Sequence, residues 1–260
     1  MKNALFIILM ASGLYACMSP SKKPPLPILG ERDISPAGDT IYRSIPDFTF
    51  VDQDSQAVTN ATFAGKIYVA DFFFIHCPTI CPKVKKNGLR LYAKYKNDDR
   101  VALLSHSIDV RNDTVAALKR HAQKLGIETA KWHLVTGDHD AIYGIADDYF
   151  SVATEDPDSP GGFDHSGRLI LVDKNRHVRS FCDGTDAKDA EVKMANMLVE
   201  TLAGDFDASE FTDDYREALE ALRLHERGPH IGAGAQHEAI AGEGRELHAP
   251  ADLQPEAPVA

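Results

Sequence analysis

Cysteine, tryptophan and positive charge are all scarce in this chain of 260 residues. It contains 4 cysteines and 1 tryptophan, and its 28 lysines and arginines face 39 aspartates and glutamates, so the formal net charge is −11. Because this charge would be repelled by phosphates and no basic stripe is present, the sequence excludes a nucleic-acid-binding protein. Long apolar runs are also missing, since the apolar stretch near the N-terminus is too short to span a membrane.

The first 17 residues have the layout of an export signal. Lys2 precedes an apolar core at residues 4–10, and small residues then lead to Leu14-Tyr15-Ala16-Cys17. This ending resembles a bacterial lipoprotein signal, in which Cys17 becomes the lipidated first residue of the mature protein. The alternatives are an ordinary cleaved signal peptide and an uncleaved anchor. Each predicts a domain outside the cytoplasm, on the periplasmic side, and lipidation would anchor it to a bacterial membrane.

Composition divides the rest of the chain into three parts. Residues 18–41 are rich in proline and show no periodic pattern, so we expect a semi-rigid tether. Residues 42–204 have the composition of a folded domain. Residues 205–260 form an acidic extension in which residues 209–226 could make one amphipathic helix. The tail beyond that segment is mostly Gly, Ala, Pro, Glu and His, and we expect it to be disordered.

Strand and helix patterns alternate through the folded part. The predicted strands lie at residues 66–75, 100–110, 131–135, 168–173 and 177–182, with an edge hairpin at 47–58, and the helices at 78–96, 113–125, 138–149 and 187–202. Residues 150–163 read as an irregular surface loop. Parallel βαβ units are thus followed by an antiparallel hairpin and a closing helix. This order predicts an α/β fold, a thioredoxin-like sandwich with an N-terminal β-hairpin and an inserted hairpin strand pair.

Two cysteines follow the first central strand, in the segment Phe74-Ile75-His76-Cys77-Pro78-Thr79-Ile80-Cys81-Pro82. We predict that a helix begins at Pro78, which would place Cys77 and Cys81 on one face of its first turn, about 5–6 Å apart at Cβ. The positive end of the helix dipole would favour thiolates there. Three interpretations stay open, namely a structural disulfide, a dithiol redox couple and two ligands of a soft-metal site.

A third ligand is expected from a distant part of the chain. In a thioredoxin-like fold, the loop before the hairpin passes beside the N-terminus of the cysteine-bearing helix, and here it contains Asp164-His165-Ser166. His165 could therefore reach both sulfurs at a shallow site. We expect His76 to be a solvated or second-sphere residue, His106 to be packed in the core, and Cys182 to be an inert, half-buried thiol.

The strand followed by His-Cys-Pro-Thr-Ile-Cys-Pro, the Asp-His-Ser before a hairpin strand and the export signal together resemble the Sco/SenC family over roughly residues 45–202. Its members are thioredoxin-like copper chaperones that help assemble the binuclear copper centre of cytochrome c oxidase. The resemblance implies that Cys77 and Cys81 are the thiolate ligands of copper and His165 the nitrogen ligand. It also implies that Asp164 orients the site or tunes its redox behaviour. The implied partner is the copper-bearing subunit of the oxidase or another copper protein.

The donor set suits copper(I) because soft thiolates select a soft ion, although the same residues could hold zinc with a water as the fourth ligand. A thiol–disulfide oxidoreductase is the alternative function. Cys77 would then attack, Cys81 would resolve, and a Cys77–Cys81 disulfide would be the oxidised form. Whether the chain is an enzyme depends on this choice, and we favour the metallochaperone.

Overall fold

The computed structural model describes residues 26–205, so Cys17 and the acidic extension lie outside the described residues. One seven-stranded mixed sheet and two short strand pairs form the β structure. The strands are β1 Arg32–Ile34, β2 Thr40–Tyr42, β3 Thr49–Asp52, β4 Ala57–Thr59, β5 Ile67–Phe73, β6 Val101–Ser107, β7 Trp132–Thr136, β8 Ala153–Glu155, β9 Phe163–His165, β10 Arg168–Val172 and β11 Val178–Asp183.

In the described part of the chain, four α-helices pack on this sheet. They are α1 Cys81–Tyr95, α2 Val115–Leu125, α3 His139–Ala146 and α4 Met194–Asp205. The side chain of Thr114 caps α2 by accepting a hydrogen bond from the N–H of Ala117, and Gly126 ends that helix in the left-handed region at φ 67°. The side chain of Asp138 caps α3 by accepting a hydrogen bond from the N–H of Ala141. Within residues 26–205, none of the helices combines the length and apolar character needed to cross a bilayer.

The main sheet has the strand order β11-β10-β5-β6-β7-β3-β4. β5, β6 and β7 run parallel, whereas β10 lies antiparallel to β5 and β3 antiparallel to β7. Every residue of β5 and β6 is buried, because helices or loops cover both faces of these central strands. The thioredoxin-like α/β fold is therefore confirmed, with the predicted edge hairpin formed by β3 and β4.

Side chains fill both faces of the sheet. One face holds the rings of Phe50, Phe72 and Tyr149, and the other packs against α1, which contacts Trp132, and against α4. His106 lies on the first face, with its ring stacked on that of Phe72 at 4.7 Å between centroids. The prediction that His106 is packed in the core is therefore confirmed, and burial lowers its pKa to about 4.

Two segments predicted to be irregular contain strands. β1 and β2 pair within the stretch assigned to the tether, because Gly38, at φ 88°, closes a tight turn against the carbonyl of Ser35. β8 lies within residues 150–163 and pairs with β9, which begins at Phe163; between them the N–H of Asp156 donates to the carbonyl of Gly162. Both predictions were wrong because three-residue strands are too short to show a periodic pattern.

Two helix predictions also need correction. The first helix begins at Cys81 instead of Pro78, and Pro82 occupies the position in its first turn that suits proline. The last helical segment begins at residue 187, as predicted, but a π-helical turn at Asp189–Lys193 precedes α4. The first correction matters for the site, because Cys77 then lies four residues ahead of the helix and Cys81 is its first residue.

Two helical glycines give a matched test of this packing. A Cβ at Gly88 in α1 would lie 2.8 Å from Cη2 of Trp132, whereas a Cβ at Gly144 in α3 would meet nothing within 4 Å. We expect Gly88→Ala to lower the free energy of unfolding by about 1–3 kcal/mol through overpacking. Gly144→Ala should raise it by about 0.4–1 kcal/mol, since alanine reduces the entropy of the unfolded chain. Urea denaturation measures both changes, and a fully stable Gly88→Ala variant would contradict the close approach to Trp132.

Candidate metal centre

The two cysteines bracket the turn that joins β5 to α1. Cys77 lies in this connection, and Cys81 is the first residue of the helix. The turn is held from both sides, because the N–H of Cys77 donates to the carbonyl of Phe74 at 3.3 Å and the N–H of Ile75 donates to Oδ2 of buried Asp113 at 3.0 Å. The position of the first sulfur is therefore set by the end of a buried strand.

His165 is the last residue of β9, where it pairs with Ala153 of β8, so a strand and not a loop carries it. The turn between these strands rests on the cysteine turn at Gly161. A Cβ there would lie 2.8 Å from the ring of Phe74 and 3.2 Å from Cδ of Pro78, and the φ of 86° also favours glycine. Close backbone approach at Gly161 is thus what allows the β8–β9 pair to lie against the two cysteines.

Three donor atoms converge at this point. Nε2 of His165 lies 3.6 Å from Sγ of Cys77 and 3.2 Å from Sγ of Cys81, and all three atoms lie within 4.8 Å of one another. The residues Cys77, Cys81 and His165 are 6%, 4% and 6% exposed, so the expectation of a shallow site was wrong. The structure brings together the three predicted ligands in an arrangement that could hold one metal ion.

The orientation of the His165 ring comes from packing. The ring of Phe74 meets it edge-on, with centroids 5.7 Å apart. Its Nδ1 is buried and has no hydrogen-bond partner among the described residues. Burial lowers the pKa of His165, an effect that the negative charges of Asp71 and Asp164 partly oppose. The imidazole is therefore neutral at pH 7, which is the form that can bind a metal.

The two thiols differ in acidity. Burial acts to raise the pKa of Cys77, but hydrogen bonds from the backbone N–H groups of Cys81 and Thr79 and from the Thr79 hydroxyl outweigh it and lower that pKa. At Cys81 burial dominates, and the pKa rises far above its usual range. The N–H groups at the start of α1 thus favour a thiolate at Cys77, whereas the sequence had predicted the same effect on both sulfurs.

The other predicted residues lie outside this cluster. Asp164 is exposed on the opposite side of β9, and within residues 26–205 no hydrogen bond joins it to the three donors. It reaches His165 through its charge alone. His76 is exposed although it precedes Cys77. Cys182 is 2% exposed in β11, and burial raises its pKa to about 12, which makes it an unreactive thiol at neutral pH.

A buried polar cluster behind Cys81 was missed by the sequence reasoning. Nζ of Lys85 donates to Oδ2 of Asp71 at 2.9 Å and to Oγ of Ser105 at 2.7 Å. The Ser105 hydroxyl donates to the other oxygen of Asp71 and accepts from Nε1 of Trp132. Two signals were available in the sequence. An aspartate interrupts the apolar run of β5, and a lysine follows Cys81 by four residues, the spacing of one helix face.

Comparisons with known proteins agree with this site. The SCO1/SenC family model matches residues 39–200. The chain belongs to the SCO1/SenC family. It is 27% identical over 150 residues to the SCO1 protein homolog of Bacillus subtilis, covering 57% of this chain and 78% of that protein. It is 28% identical over 142 residues, 53% of this chain and 68% of the relative, to a Stutzerimonas stutzeri protein whose name describes it provisionally as copper-binding.

A solved structure supports the same conclusion. The SCO1/SenC family lipoprotein from Bacillus anthracis superimposes with a TM-score of 0.53 at 28% identity, covering 59% of this chain and 92% of that chain. The part of this chain that the SCO1/SenC model matches includes Cys77, Cys81 and His165. The family identified from the sequence motifs is therefore confirmed, and its fold agrees with the sheet described above.

The acidity of Cys77 can be tested through Thr79. Thr79→Val removes a hydroxyl that lies 3.7 Å from Sγ of Cys77, so we expect alkylation of Cys77 in the reduced, metal-free protein at pH 7 to slow by about threefold. Thr79→Ser keeps the hydroxyl and should retain the original rate. Mass spectrometry after pulses of iodoacetamide measures each cysteine separately. An equal alkylation rate at Cys77 and Cys81 in the unmodified chain would contradict the difference in acidity.

Proposed function

We propose that this chain is an extracytoplasmic copper chaperone that holds one copper(I) ion between Cys77, Cys81 and His165. It would deliver this copper for assembly of the binuclear copper centre of cytochrome c oxidase. The convergence of two thiols and one imidazole nitrogen in a buried, preformed group is the observation that carries the proposal. Membership of the SCO1/SenC family and a relative whose name includes copper binding support it.

The chemistry of the donors fits copper(I). Two soft thiolates and a neutral imidazole match the three-coordinate geometry that this ion accepts. Metal binding would draw the proton from Cys81, whose pKa burial raises, so the metal supplies the charge that makes the second thiolate stable. Zinc with a water as its fourth ligand remains the competing ion for the same residues. The buried ring of Phe74, which meets the His165 ring edge-on, disfavours that water.

Delivery requires the ligands to be exchanged. The donors come from two separate elements, the turn before α1 and the small β8–β9 pair, which meet at Gly161. Pro78 and Thr79 are exposed at the tip of the cysteine turn, so an acceptor would approach there. Its own cysteines would then replace Cys77 and Cys81 one at a time. We propose the copper-bearing subunit of the oxidase as this acceptor, because the family resemblance implies it.

We also propose that the protein is exported and held to the membrane by a lipid on Cys17. The export-signal layout and the Leu-x-Ala-Cys ending support this proposal. The B. anthracis relative is described as a lipoprotein. Asp164, in turn, would tune the site through its charge next to His165, since it has no direct contact with the donors among the described residues.

A thiol–disulfide oxidoreductase is the second candidate, and the difference in acidity between the cysteines favours it. The lowered pKa of Cys77 suits an attacking thiolate, and the raised pKa of Cys81 suits a resolving thiol that stays protonated until it is needed. Cys77 and Cys81 would then form a disulfide in the oxidised state. His165 has no required role in that chemistry, so it separates the two functions.

Copper binding by histidine variants distinguishes these candidates. The reduced, purified full-length chain should retain one copper(I) under anaerobic conditions against a chromogenic copper(I) chelator. His165→Ala should weaken this binding at least about tenfold, since one of three ligands is lost. His76→Ala is the matched control, because His76 adjoins Cys77 but is exposed, and its copper affinity should equal that of the unmodified chain.

Each outcome of this copper-binding experiment supports a different function. Loss of copper in His165→Ala alone would establish the site with two sulfurs and one nitrogen. If the unmodified chain retains no copper but cycles readily between the dithiol and the Cys77–Cys81 disulfide, the chaperone proposal fails and the oxidoreductase replaces it. Equal weakening by His76→Ala and His165→Ala would show that the geometry at His165 does not define the ligand set.

The lipid anchor is tested by Cys17→Ser. In a bacterial host that processes lipoproteins, we expect the unmodified chain in the membrane fraction, carrying label from radioactive palmitate. The Cys17→Ser variant should carry no label, because the acceptor thiol is missing. Cys182→Ser is a matched control that removes a different cysteine and should leave labelling unchanged. Labelling of Cys17→Ser at the original level would contradict the proposed anchor.

A further inference from the structure

Charge balance at the proposed copper site leads to a further role for Lys85. Two thiolates and a neutral imidazole around copper(I) carry a net charge of −1, and the donors are almost completely buried. A buried charge without a counter-charge is strongly destabilising. Some cation in the surrounding protein is therefore required if this site is to hold copper(I) tightly.

Among residues 26–205, three cationic side chains are buried, namely Lys85, Lys131 and Arg179. Lys131 binds the carbonyls of Asp98 and Val101 at the start of β6, and Arg179 pairs with Asp173 just beyond the end of β10. Both positions lie at the end of the sheet opposite the cysteines, as the registers of β5 with β6 and β10 show. Lys85 is thus the buried cation at the end of the sheet where the donors meet.

The position of Lys85 is fixed by its helix and by its partners. It follows Cys81 by four residues in α1, so the two side chains lie on one face of the helix. Its Nζ is held between Asp71 and Ser105, which face each other across β5 and β6. The ammonium contacts Asp71 and the ring of Phe73, the last residue of β5, so it lies at the end of the strand from which the cysteine turn starts.

We propose that Lys85 is the counter-charge that stabilises the anionic state of the Cys77 and Cys81 sulfurs, and that Asp71 sets how much of this charge they experience. For copper loading this inference rests on the proposed function, whereas for the metal-free dithiol it does not. Lys85 acts through the sulfurs and touches neither copper nor acceptor, so it is a positioning residue.

The ammonium of Lys85 has partners besides Asp71. Its Nζ lies 3.8 Å from the centroid of the Phe73 ring and 5.2 Å from that of Trp132, and both ring faces attract a cation. The Ser105 hydroxyl accepts a hydrogen bond from the same ammonium. These three contacts stay in place when Asp71 is replaced by asparagine, so Asp71→Asn exposes the sulfurs to a stronger positive charge.

Two variants that remove charges of opposite sign, Lys85→Met and Asp71→Asn, test the proposal in the full-length protein. The first experiment measures the equilibrium between the dithiol and the disulfide in the metal-free protein. The Cys77–Cys81 disulfide takes two electrons from dithiothreitol and one proton. The sulfur–sulfur bond breaks, leaving a thiolate at Cys77 and a thiol at Cys81. Lys85→Met should shift this equilibrium toward the disulfide by about tenfold, because the thiolate loses its counter-charge. Asp71→Asn should shift it toward the dithiol, and the double variant should return close to the original value.

The same variants are then measured for copper(I) affinity by chelator competition. Lys85→Met should bind copper(I) more weakly by about tenfold and Asp71→Asn more tightly. Arg179→Met is the matched control, because it breaks an equally buried ion pair with Asp173 at the far end of the sheet. It should lower stability without moving the dithiol equilibrium or the copper affinity.

The direction in which each variant shifts the dithiol equilibrium distinguishes an electrostatic effect of Lys85 from damage to the structure. If Lys85→Met and Asp71→Asn shift the dithiol equilibrium in the same direction, or if Arg179→Met shifts it as much, the role of Lys85 is overturned. Asp71→Asn keeps the cation and decides the question even where Lys85→Met does not fold. If the unmodified chain binds no copper, the chaperone proposal fails, while the dithiol equilibrium still decides the proposal for Lys85.

Discussion

Everything at the candidate site depends on the contact between two segments that are far apart in sequence. The cysteine turn follows β5, and the β8–β9 pair carries His165, which lies 3.2 Å from Cys81. They can meet because β10 pairs antiparallel with β5, so the chain entering β10 passes the end of β5 where the cysteines lie. Gly161 then allows the backbone of the strand pair to rest directly on Phe74 and Pro78. Fold topology brings the two segments together, and one glycine sets their separation.

Burial then decides the protonation of the three donors. It favours the neutral form in each of them, and this keeps His165 ready as a ligand but makes two adjacent thiolates costly. The protein reduces that cost in two ways. Backbone N–H groups at the start of α1 are aimed at Cys77, and a buried ammonium lies one helical turn beyond Cys81. A bound cation would supply the rest of the compensation, so an empty dithiol and a loaded site differ mainly in the state of Cys81.

The sequence predicted the fold and the donor set because both depend on strong local signals. Apolar runs identified the central strands, and the spacing of Cys77, Cys81 and a distant His165 was sufficient once the fold was assumed. The helix start was predicted wrongly because Pro78 and Pro82 both suit a first turn, and the choice depends on tertiary contacts. The depth of the site and the ion pair of Lys85 with Asp71 could not be predicted, since they depend on which segments cover one another in space.

A deeply buried site would hinder the proposed release of metal to an acceptor, and the arrangement of the donors resolves this difficulty. Two ligands sit on the rigid end of a buried strand and helix, whereas the third is on a pair of three-residue strands outside the main sheet. So short a pair contributes few hydrogen bonds of its own, and local opening costs less there than in β5 or α1. Moving β9 would withdraw His165 and uncover both sulfurs in one step. The same strand pair that buries the site therefore provides the route by which an acceptor could reach it.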